Sequence, residues 1–195
     1  PKAVRILEAA SACFSQKGFQ GTTVEDIAGA AGVSRPLVYK YFGDKDALID
    51  SVLEAAFEDW LAYNRQSFEA SSDTAAGALA AKMGGSVEFV RARPIFQAIL
   101  RHDPRIVFSG HAATFRDCRA QSRESTLAIL RAGVASREFR AEIDLEVTAD
   151  SVEMVLFVLL ARALGIRPEL TLERALLDCT IELILGGLRR PGENT

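Results

Sequence analysis

Long, uninterrupted helical periodicity is the feature that most constrains the fold of this chain of 195 residues. Between Pro36 and Pro94 lie 57 residues without proline, the residue that most strongly breaks a helix. Apolar residues recur there every three or four positions, which is typical of amphipathic helices. Strand signals such as alternating β-branched runs and Asn-Gly or Asp-Gly turns are missing from the sequence. The sequence therefore predicts an all-α fold.

The periodic windows predict about nine helices in all. The first is expected over residues 3–16, with Gly18 ending it, and the longest over residues 44–69, spanning roughly 37 Å. Five more are expected over residues 73–92, 94–102, 112–136, 145–165 and 172–188. The glycine pair at 84–85 should weaken or bend its helix, and it indicates either close helix packing or a hinge.

Composition limits the class of protein. Hydrophobic residues make up 49% of the chain and charged residues 25%, as in an ordinary globular protein of one substantial domain or two small ones. The longest apolar run, Met154 to Ala161, is far shorter than the ~20 residues of a membrane span. No secretory pattern begins the sequence, and its three cysteines are unclustered. We therefore expect a cytoplasmic protein with no metal site, no cofactor and no membrane partner.

Residues 22–45 carry the most specific signal in the chain. Thr23 and Asp26 have the spacing of a capping box, which predicts that a short helix begins directly after Thr23. Gly32 suits the left-handed conformation that ends many helices. The segment therefore predicts a short helix followed by a tight turn.

A second short helix is expected after this turn. Ser34 is a favourable N-cap, and Pro36 is tolerated in the first turn because its missing N–H has no partner there. Three side chains should face inward and four outward, namely Leu37, Val38 and Phe42 against Arg35, Tyr39, Lys40 and Tyr41. Two short helices around a glycine turn, with a basic and aromatic outer face, are the layout of a helix-turn-helix. An ordinary helical hairpin is the alternative.

Together with the residues before it, this segment resembles the N-terminal domain of the TetR family of transcriptional regulators. The resemblance runs from Ile6 to Leu48 and rests on Ile-Leu-Glu-Ala-Ala at 6–10, Phe-Ser-Gln-Lys-Gly-Phe at 14–19 and the segment at 22–45. Pro36 stands where many members have glycine, and Val38 where leucine is commoner. The resemblance implies a DNA-binding domain over residues 1–45 and a helical ligand-binding and dimerisation domain over residues 46–195.

The resemblance also implies which residues contact double-stranded DNA. Thr23 and the start of its helix would meet a phosphate, and Arg35 would read a guanine in the major groove. The full predicted set is Thr23, Ser34, Arg35, Pro36, Tyr39, Lys40, Tyr41 and Lys45. Core packing is the alternative for Tyr41, and a purely solvated side chain is the alternative for Arg35.

The formal net charge of −3 at first argues against a nucleic-acid partner. Residues 1–50, however, hold six basic and six acidic residues, so the whole excess belongs to residues 51–195. Around the second short helix, Arg35, Lys40 and Lys45 outnumber the single acidic residue Asp44. The acidic total therefore excludes only indiscriminate coating of DNA, and a local basic stripe remains.

The remainder of the chain carries no specific motif. Residues 145–165 and 172–188 are apolar on nearly all sides, which predicts buried helices. The resemblance implies that they form a homodimer as a four-helix bundle, with Val152, Leu156, Leu159, Leu177, Ile181 and Ile184 at the interface. Two core helices of a monomer are the alternative.

Aromatic residues in the middle of the chain are expected to be mostly core residues, and a subset of them is expected to line an effector pocket between the longest helix and its neighbours. The residues expected to line it are Phe57, Trp60, Phe89, Phe96 and Phe115. Arg116, Arg119 and Arg123 share one helix face. That face is expected to be solvated or, alternatively, to attract an anionic effector.

No Gly-rich phosphate loop, G-x-S-x-G turn or H-E-x-x-H helix is present, so no enzymatic activity is predicted. We expect a repressor that binds a palindromic operator as a homodimer and is released by a small hydrophobic effector. The alternatives are an activator with the same DNA-binding domain, or a ligand-binding or interaction protein whose DNA-binding domain is vestigial.

Overall fold

The computed structural model describes residues 1–71, 73–102, 112–165 and 172–190. Those ranges contain nine α-helices and no β-strand, which confirms the predicted all-α fold. The helices are α1 Lys2–Gly21, α2 Val24–Ala31, α3 Arg35–Phe42, α4 Lys45–Ser71, α5 Ala75–Ala92, α6 Pro94–His102, α7 Ala112–Ala135, α8 Leu145–Ala163 and α9 Arg174–Leu188. Each helix predicted from periodicity has a counterpart among them.

α1 is interrupted near its end, at Gly18, whose φ and ψ are 71° and 168°. The hydroxyl of Thr22 is buried and lies 2.7 Å from the carbonyl oxygen of Gly18 and 3.1 Å from that of Cys13. Carbonyl groups that lose their helical partners need such a donor. The prediction that the first regular helix stops at Gly18 is confirmed, and Thr22 stabilises the break.

One hydrophobic core runs from the N-terminal helices along α4 into the middle of the chain. α1 packs against α2, α4 and α6. The core includes Ile6, Phe14, Ile27, Val38, Leu48, Val52, Trp60, Phe89 and Phe96. The N-terminal helices therefore share one core with the middle of the chain.

A second core lies between α5, α7, α8 and α9, and it surrounds a buried ion pair. The ammonium of Lys82 lies 3.1 Å from the Glu153 carboxylate, 2.7 Å from the Thr126 hydroxyl and 2.5 Å from the Ser122 carbonyl oxygen. The Ser122 and Thr126 hydroxyls also donate to Glu153, at 2.8 and 2.6 Å. Burial lowers the pKa of Lys82. This network joins α5, α7 and α8, and sequence reasoning did not identify it.

α5 continues through the glycine pair at 84–85. A Cβ added at Gly85 would lie 3.1 Å from Cε1 of Tyr63, which is tighter than ordinary contact. The missing side chain therefore lets the tyrosine ring of α4 approach α5. Of the two explanations offered for the glycine pair, close packing accounts for Gly85.

The described residues contain no helix long and apolar enough to cross a membrane. They also contain no group of three or more His, Cys, Asp or Glu side chains that could hold a metal ion. The cysteines are unbonded, and burial raises the pKa of the Cys118 thiol to about 12.

Candidate nucleic-acid interface and effector site

α2 and the turn after it have the local geometry that the sequence predicts. The backbone N–H of Asp26 donates to the Thr23 hydroxyl at 3.1 Å, and the Thr23 N–H donates to the Asp26 carboxylate at 2.9 Å. This completes the capping box. Gly32 ends the helix in the left-handed conformation, with φ of 62°. Both predictions are confirmed.

Arg5 of α1 forms a hydrogen bond with the turn after α2. Its Nη2 donates to the carbonyl oxygen of Ala31 at 2.6 Å, and a Cβ at Gly32 would come within 2.9 Å of the same nitrogen. Glycine is therefore favoured at this turn by its left-handed backbone conformation, whereas an added Cβ would displace only the flexible end of Arg5. Sequence reasoning missed Arg5 because it lies 26 residues before the carbonyl that it caps.

α3 has the two faces expected from the sequence. Its inward side chains are the buried Val38 and the half-buried Leu37 and Phe42. Its outward residues are Arg35, Pro36, Tyr39, Lys40 and Tyr41, all of them exposed. Core packing of Tyr41, the alternative, does not occur. The helix thus presents a basic and aromatic face to solvent.

Ser34 precedes α3 at the N-cap position, but its side chain makes no capping hydrogen bond. The prediction that the Ser34 side chain caps this helix is therefore wrong. Pro36 has no N–H to donate, and the N–H of Leu37 donates to the backbone carbonyl of Ser34 at 2.9 Å. The exposed Ser34 hydroxyl is not used within α3.

Arg35 is held in place by neighbours on two helices. Its Nη1 forms an ion pair with Glu25 of α2, and its Nη2 donates to the Tyr39 hydroxyl at 3.1 Å. The guanidinium carbon lies 5.3 Å from the centre of the Tyr39 ring. The hydrogen bond to Tyr39 and the charge of Glu25 raise the pKa of Arg35. Arg35 is therefore held in one orientation by its ion pair and its hydrogen bond. Sequence reasoning missed Glu25, the acidic partner in that ion pair.

The N-terminus of α2 is also occupied by a side chain of the same chain. Asp26 accepts from the Thr23 hydroxyl at 2.7 Å and from Lys17 at 2.6 Å. The hydrogen bond from Lys17 and those from Thr23 lower the pKa of Asp26. A phosphate contacting Thr23 would compete with this carboxylate. At the start of α4, the ammonium of Lys45 lies 4.3 Å from the centre of the Phe19 ring.

Four of the aromatic residues predicted to line a pocket lie in one core between α4, α5 and α6. The ring centres of Phe57 and Phe96 are 5.7 Å apart, and those of Phe89 and Phe96 are 6.2 Å apart. Trp60 belongs to the same core. The side chain of Phe115 lies outside the described part of the chain. The structure therefore brings together every predicted pocket aromatic that it describes.

Two further residues join this aromatic cluster and were not predicted. The Tyr63 ring centre lies 5.1 Å from that of Phe89. On the other side of the cluster, the guanidinium carbon of Arg93 lies 3.4 Å from the centre of the Phe89 ring. Their signal in the sequence is weak, because tyrosine is intermediate between core and surface residues and arginine is mostly exposed.

The residues predicted for the dimer interface require a correction. Four of them are buried in the core of the single chain: Val152, Leu156, Leu159 and Leu177 are 1–3% exposed. Only Ile181 and Ile184 are half-buried. The apolar side chains that α8 and α9 leave in solvent are Val147, Met154, Val158, Leu176 and Leu183. These outward positions, rather than the four buried ones, are available to a partner.

Two of the three arginines on this face of α7 contact residues of α8. Arg123 pairs with Asp150 at 2.5 Å and with Glu146 at 2.7 Å, both on α8. Arg119 lies with its guanidinium carbon 5.8 Å from the centre of the Phe157 ring. Arg116 is exposed. A structural role is thus established for Arg123, while an anionic ligand at this face stays a prediction.

Comparisons with known proteins agree with this geometry. Residues 6–52 match the model of bacterial regulatory proteins of the tetR family. The chain is 29% identical over 142 residues to the transcriptional repressor KstR2 of Rhodococcus jostii, covering 72% of this chain and 69% of that protein. The solved structure of the TetR family regulator PfmR of Thermus thermophilus is 27% identical, with a TM-score of 0.66, covering 95% of this chain and all of that one. FadR of Bacillus subtilis, solved with stearoyl-CoA, shares the fold at 16% identity, with a TM-score of 0.75 and 96% of this chain and 100% of that one covered.

Proposed function

Because the chain belongs to the TetR family of bacterial transcriptional regulators, we propose that it is a repressor that binds a palindromic operator as a homodimer and is released by a small hydrophobic effector. Residues 1–45 form the DNA-binding domain of this proposal, and residues 46–195 form the effector-binding and dimerisation domain. The observation that carries it is the outer face of α3, where Arg35, Lys40 and three other side chains are exposed beyond a capped glycine turn.

The face of α3 has the chemistry for both kinds of DNA contact. The fork of Arg35 matches the O6 and N7 atoms of guanine, and Pro36 offers an apolar surface to a thymine methyl group. Ser34, Tyr39, Lys40, Tyr41 and Lys45 are proposed to contact the backbone and set the register, together with Thr23. In this interaction a base or phosphate replaces Glu25 as the partner of Arg35.

A dimer is required by the way a helix-turn-helix reads a palindrome, since two recognition helices must lie ~34–36 Å apart. The apolar side chains that α8 and α9 expose support a partner surface there. Met154 is 66% exposed and Leu183 is 73% exposed, which is unusual for large apolar side chains. We place the interface on these outward positions and on the half-buried Ile181 and Ile184.

Effector binding is proposed at the aromatic cluster between α4, α5 and α6, and two helices connect it to the DNA-binding domain. α4 extends for 27 residues, about 40 Å, from Lys45 past Trp60. α6 carries Phe96 and packs on α1. An effector that binds better to a conformer with mis-spaced recognition helices would weaken operator binding by ~5–150-fold, for a coupling of 1–3 kcal/mol. Stearoyl-CoA, with which the FadR neighbour was solved, has a long apolar acyl chain and so supports an effector with a large apolar part.

Mobility shifts on duplexes tiled across the promoter of the chain's own gene test the DNA-binding proposal. The double variant Arg35→Ala/Lys40→Ala should bind the operator roughly 10–100-fold more weakly, because a base contact and a phosphate contact are lost. The matched control Arg189→Ala/Arg190→Ala removes two exposed charges at the end of α9 and should bind like wild type. Equal binding by the two double variants would refute the proposal.

Transcript levels in a deletion strain then give the direction of regulation. A rise in transcripts from the bound promoter is expected for a repressor. A fall would show that the chain is an activator, and no change despite tight operator binding would remove a regulatory role at that promoter.

Sedimentation tests the dimer. Wild type is expected at twice 21.1 kDa, and Leu183→Arg should sediment as a monomer because it buries an unpaired charge at the interface. Glu142→Arg, at an exposed position between α7 and α8, is the control and should remain dimeric. A wild-type mass of one chain at every concentration would exclude the dimer.

A further inference from the structure

Two buried hydrogen-bond donors beside the aromatic cluster have no acceptor among the described residues. They are the indole Nε1 of Trp60 and the amide Nδ2 of Asn64. Trp60 is 7% exposed and Asn64 is 4% exposed. They are four residues apart on α4, so they lie one above the other on the same face of the helix. Two adjacent unsatisfied donors are therefore buried at one place.

Ser86 of α5 fixes which way the Asn64 amide faces. Its hydroxyl donates to Oδ1 of Asn64 at 3.0 Å, and Ser86 is fully buried. The amide oxygen is thus satisfied by a protein group, and the NH₂ group is left for another acceptor. A buried donor without an acceptor is costly, and native proteins rarely keep two together unless something else occupies the site.

The surroundings indicate what that occupant is. The rings of Phe57, Tyr63, Phe89 and Phe96 belong to or pack against the same core, so most of the occupant's surface must be apolar. Both free donors are neutral, and the guanidinium of Arg93 is stacked on the Phe89 ring, so a neutral acceptor fits these two donors better than a carboxylate. A carbonyl oxygen has two lone pairs and can accept from both donors at once.

We propose that Trp60 and Asn64 form the polar end of the effector site and recognise a neutral carbonyl group on an otherwise apolar molecule. This inference rests on the proposed function, because it assigns the effector's chemistry at the site where that function needs one. It makes Trp60 and Asn64 residues that determine specificity, and Ser86 a positioning residue that acts through the Asn64 amide.

Three probes of the same shape separate the chemistry: cyclohexyl methyl ketone, ethylcyclohexane and cyclohexanecarboxylate. Trp60 is the sole tryptophan of the chain, so the emission of the DNA-free protein reports directly on its indole. The ketone should bind about tenfold more tightly than the hydrocarbon, as expected for a net hydrogen-bond gain of ordinary size, and more tightly than the carboxylate. It should also shift the emission to longer wavelength as the indole N–H gains an acceptor.

Substitutions test whether the two donors cause the preference for the ketone. Asn64→Leu replaces the amide with an apolar side chain of similar size and should reduce the tenfold ratio to about two- to threefold. Trp60→Phe, measured by thermal shift, should reduce it similarly, and Ser86→Ala should give an intermediate ratio because the amide is free to turn. Gln66→Leu is the control, since it removes an amide from an exposed position on α4 and keeps both donors, and its ratio should equal that of wild type.

The proposal is overturned if the ketone and the hydrocarbon bind wild type equally, if Asn64→Leu keeps the full ratio, or if the carboxylate binds best. Failure of all three probes to bind would also overturn it and would indicate that water alone satisfies the donors. These measurements contain no DNA. Ketone binding by a chain that fails to shift any promoter fragment would therefore leave this inference standing and remove only the repressor function.

Discussion

Among the described residues, the ion pairs of the helix-turn-helix lie at the surface, whereas the C-terminal helices have a buried pair in addition to their surface pairs. In the helix-turn-helix, the pairs Arg35–Glu25 and Lys17–Asp26 lie at the surface, in contact with solvent. In the C-terminal helices, the pair Lys82–Glu153 is buried. Surface pairs contribute little to stability and exchange readily, whereas a buried pair fixes the helices that hold it. The first environment suits contacts that DNA must replace, and the second suits a framework that must hold its shape.

The largest effect that this comparison predicts is on stability. Lys82→Met should lower the free energy of unfolding by about 3–5 kcal/mol, because it leaves the Glu153 carboxylate buried without its counter-charge. Urea denaturation followed by circular dichroism measures the change. A surface variant such as Glu25→Gln should change stability far less under the same conditions.

The double variant Lys82→Met/Glu153→Leu is the control for this stability prediction. Replacing both charges with apolar groups removes the unpaired carboxylate, so the double variant should be more stable than Lys82→Met alone. A loss below about 1 kcal/mol for Lys82→Met would contradict the view that the buried pair organises the C-terminal helices.

The difference between the two halves also explains which structural features could be predicted from the sequence. In the DNA-binding domain, the capping box at Thr23, the turn at Gly32 and the two faces of α3 were all predictable. Each depends on residues within a few positions of one another, where backbone geometry decides the outcome. Arg5 and Glu25 were not predictable, since their partners are brought near only by the packing of separate helices.

In the C-terminal helices, little beyond helix positions was predictable. α8 and α9 are apolar on most sides, so periodicity does not show which side of each helix faces the core. For this reason Leu156 and Leu177 were expected at the interface but are buried, while Met154 and Leu183 face solvent. The Lys82 network joins three helices that are distant in sequence, and no local pattern indicates it.

A moderate effect is predicted for DNA affinity. Glu25→Gln should strengthen binding to DNA roughly two- to fivefold, because Arg35 no longer has to leave a charged partner. The gain should be larger on non-operator duplexes than on the operator, since Glu25 limits phosphate contacts of any sequence. Mobility shifts at two salt concentrations measure both affinities.

Glu8→Gln is the matched control for Glu25→Gln. It removes the same charge from an exposed position on α1, and it should change DNA affinity less than Glu25→Gln does. Equal effects from the two variants would mean that the overall charge of the domain, rather than the pair with Arg35, sets the affinity.

The smallest effect is a pH dependence at the N-terminus of α2. Lys17 and Thr23 lower the pKa of Asp26 in the folded chain, so the unfolded chain binds this proton more readily. The stabilisation from Asp26 is therefore present at neutral pH and is lost as the pH falls below about 4, the ordinary carboxylate range. Asp26→Asn should have a lower urea midpoint than wild type at pH 7, and the difference should begin to shrink as the pH falls from about 4 to 3.

Lys17→Met, which removes one source of the lowered pKa but keeps Thr23, should show a weaker version of the wild-type pH dependence. A midpoint difference that stays constant between pH 7 and pH 3 would mean that the Asp26 pair does not contribute to folding, and that the exposed pairs of this domain serve DNA binding alone.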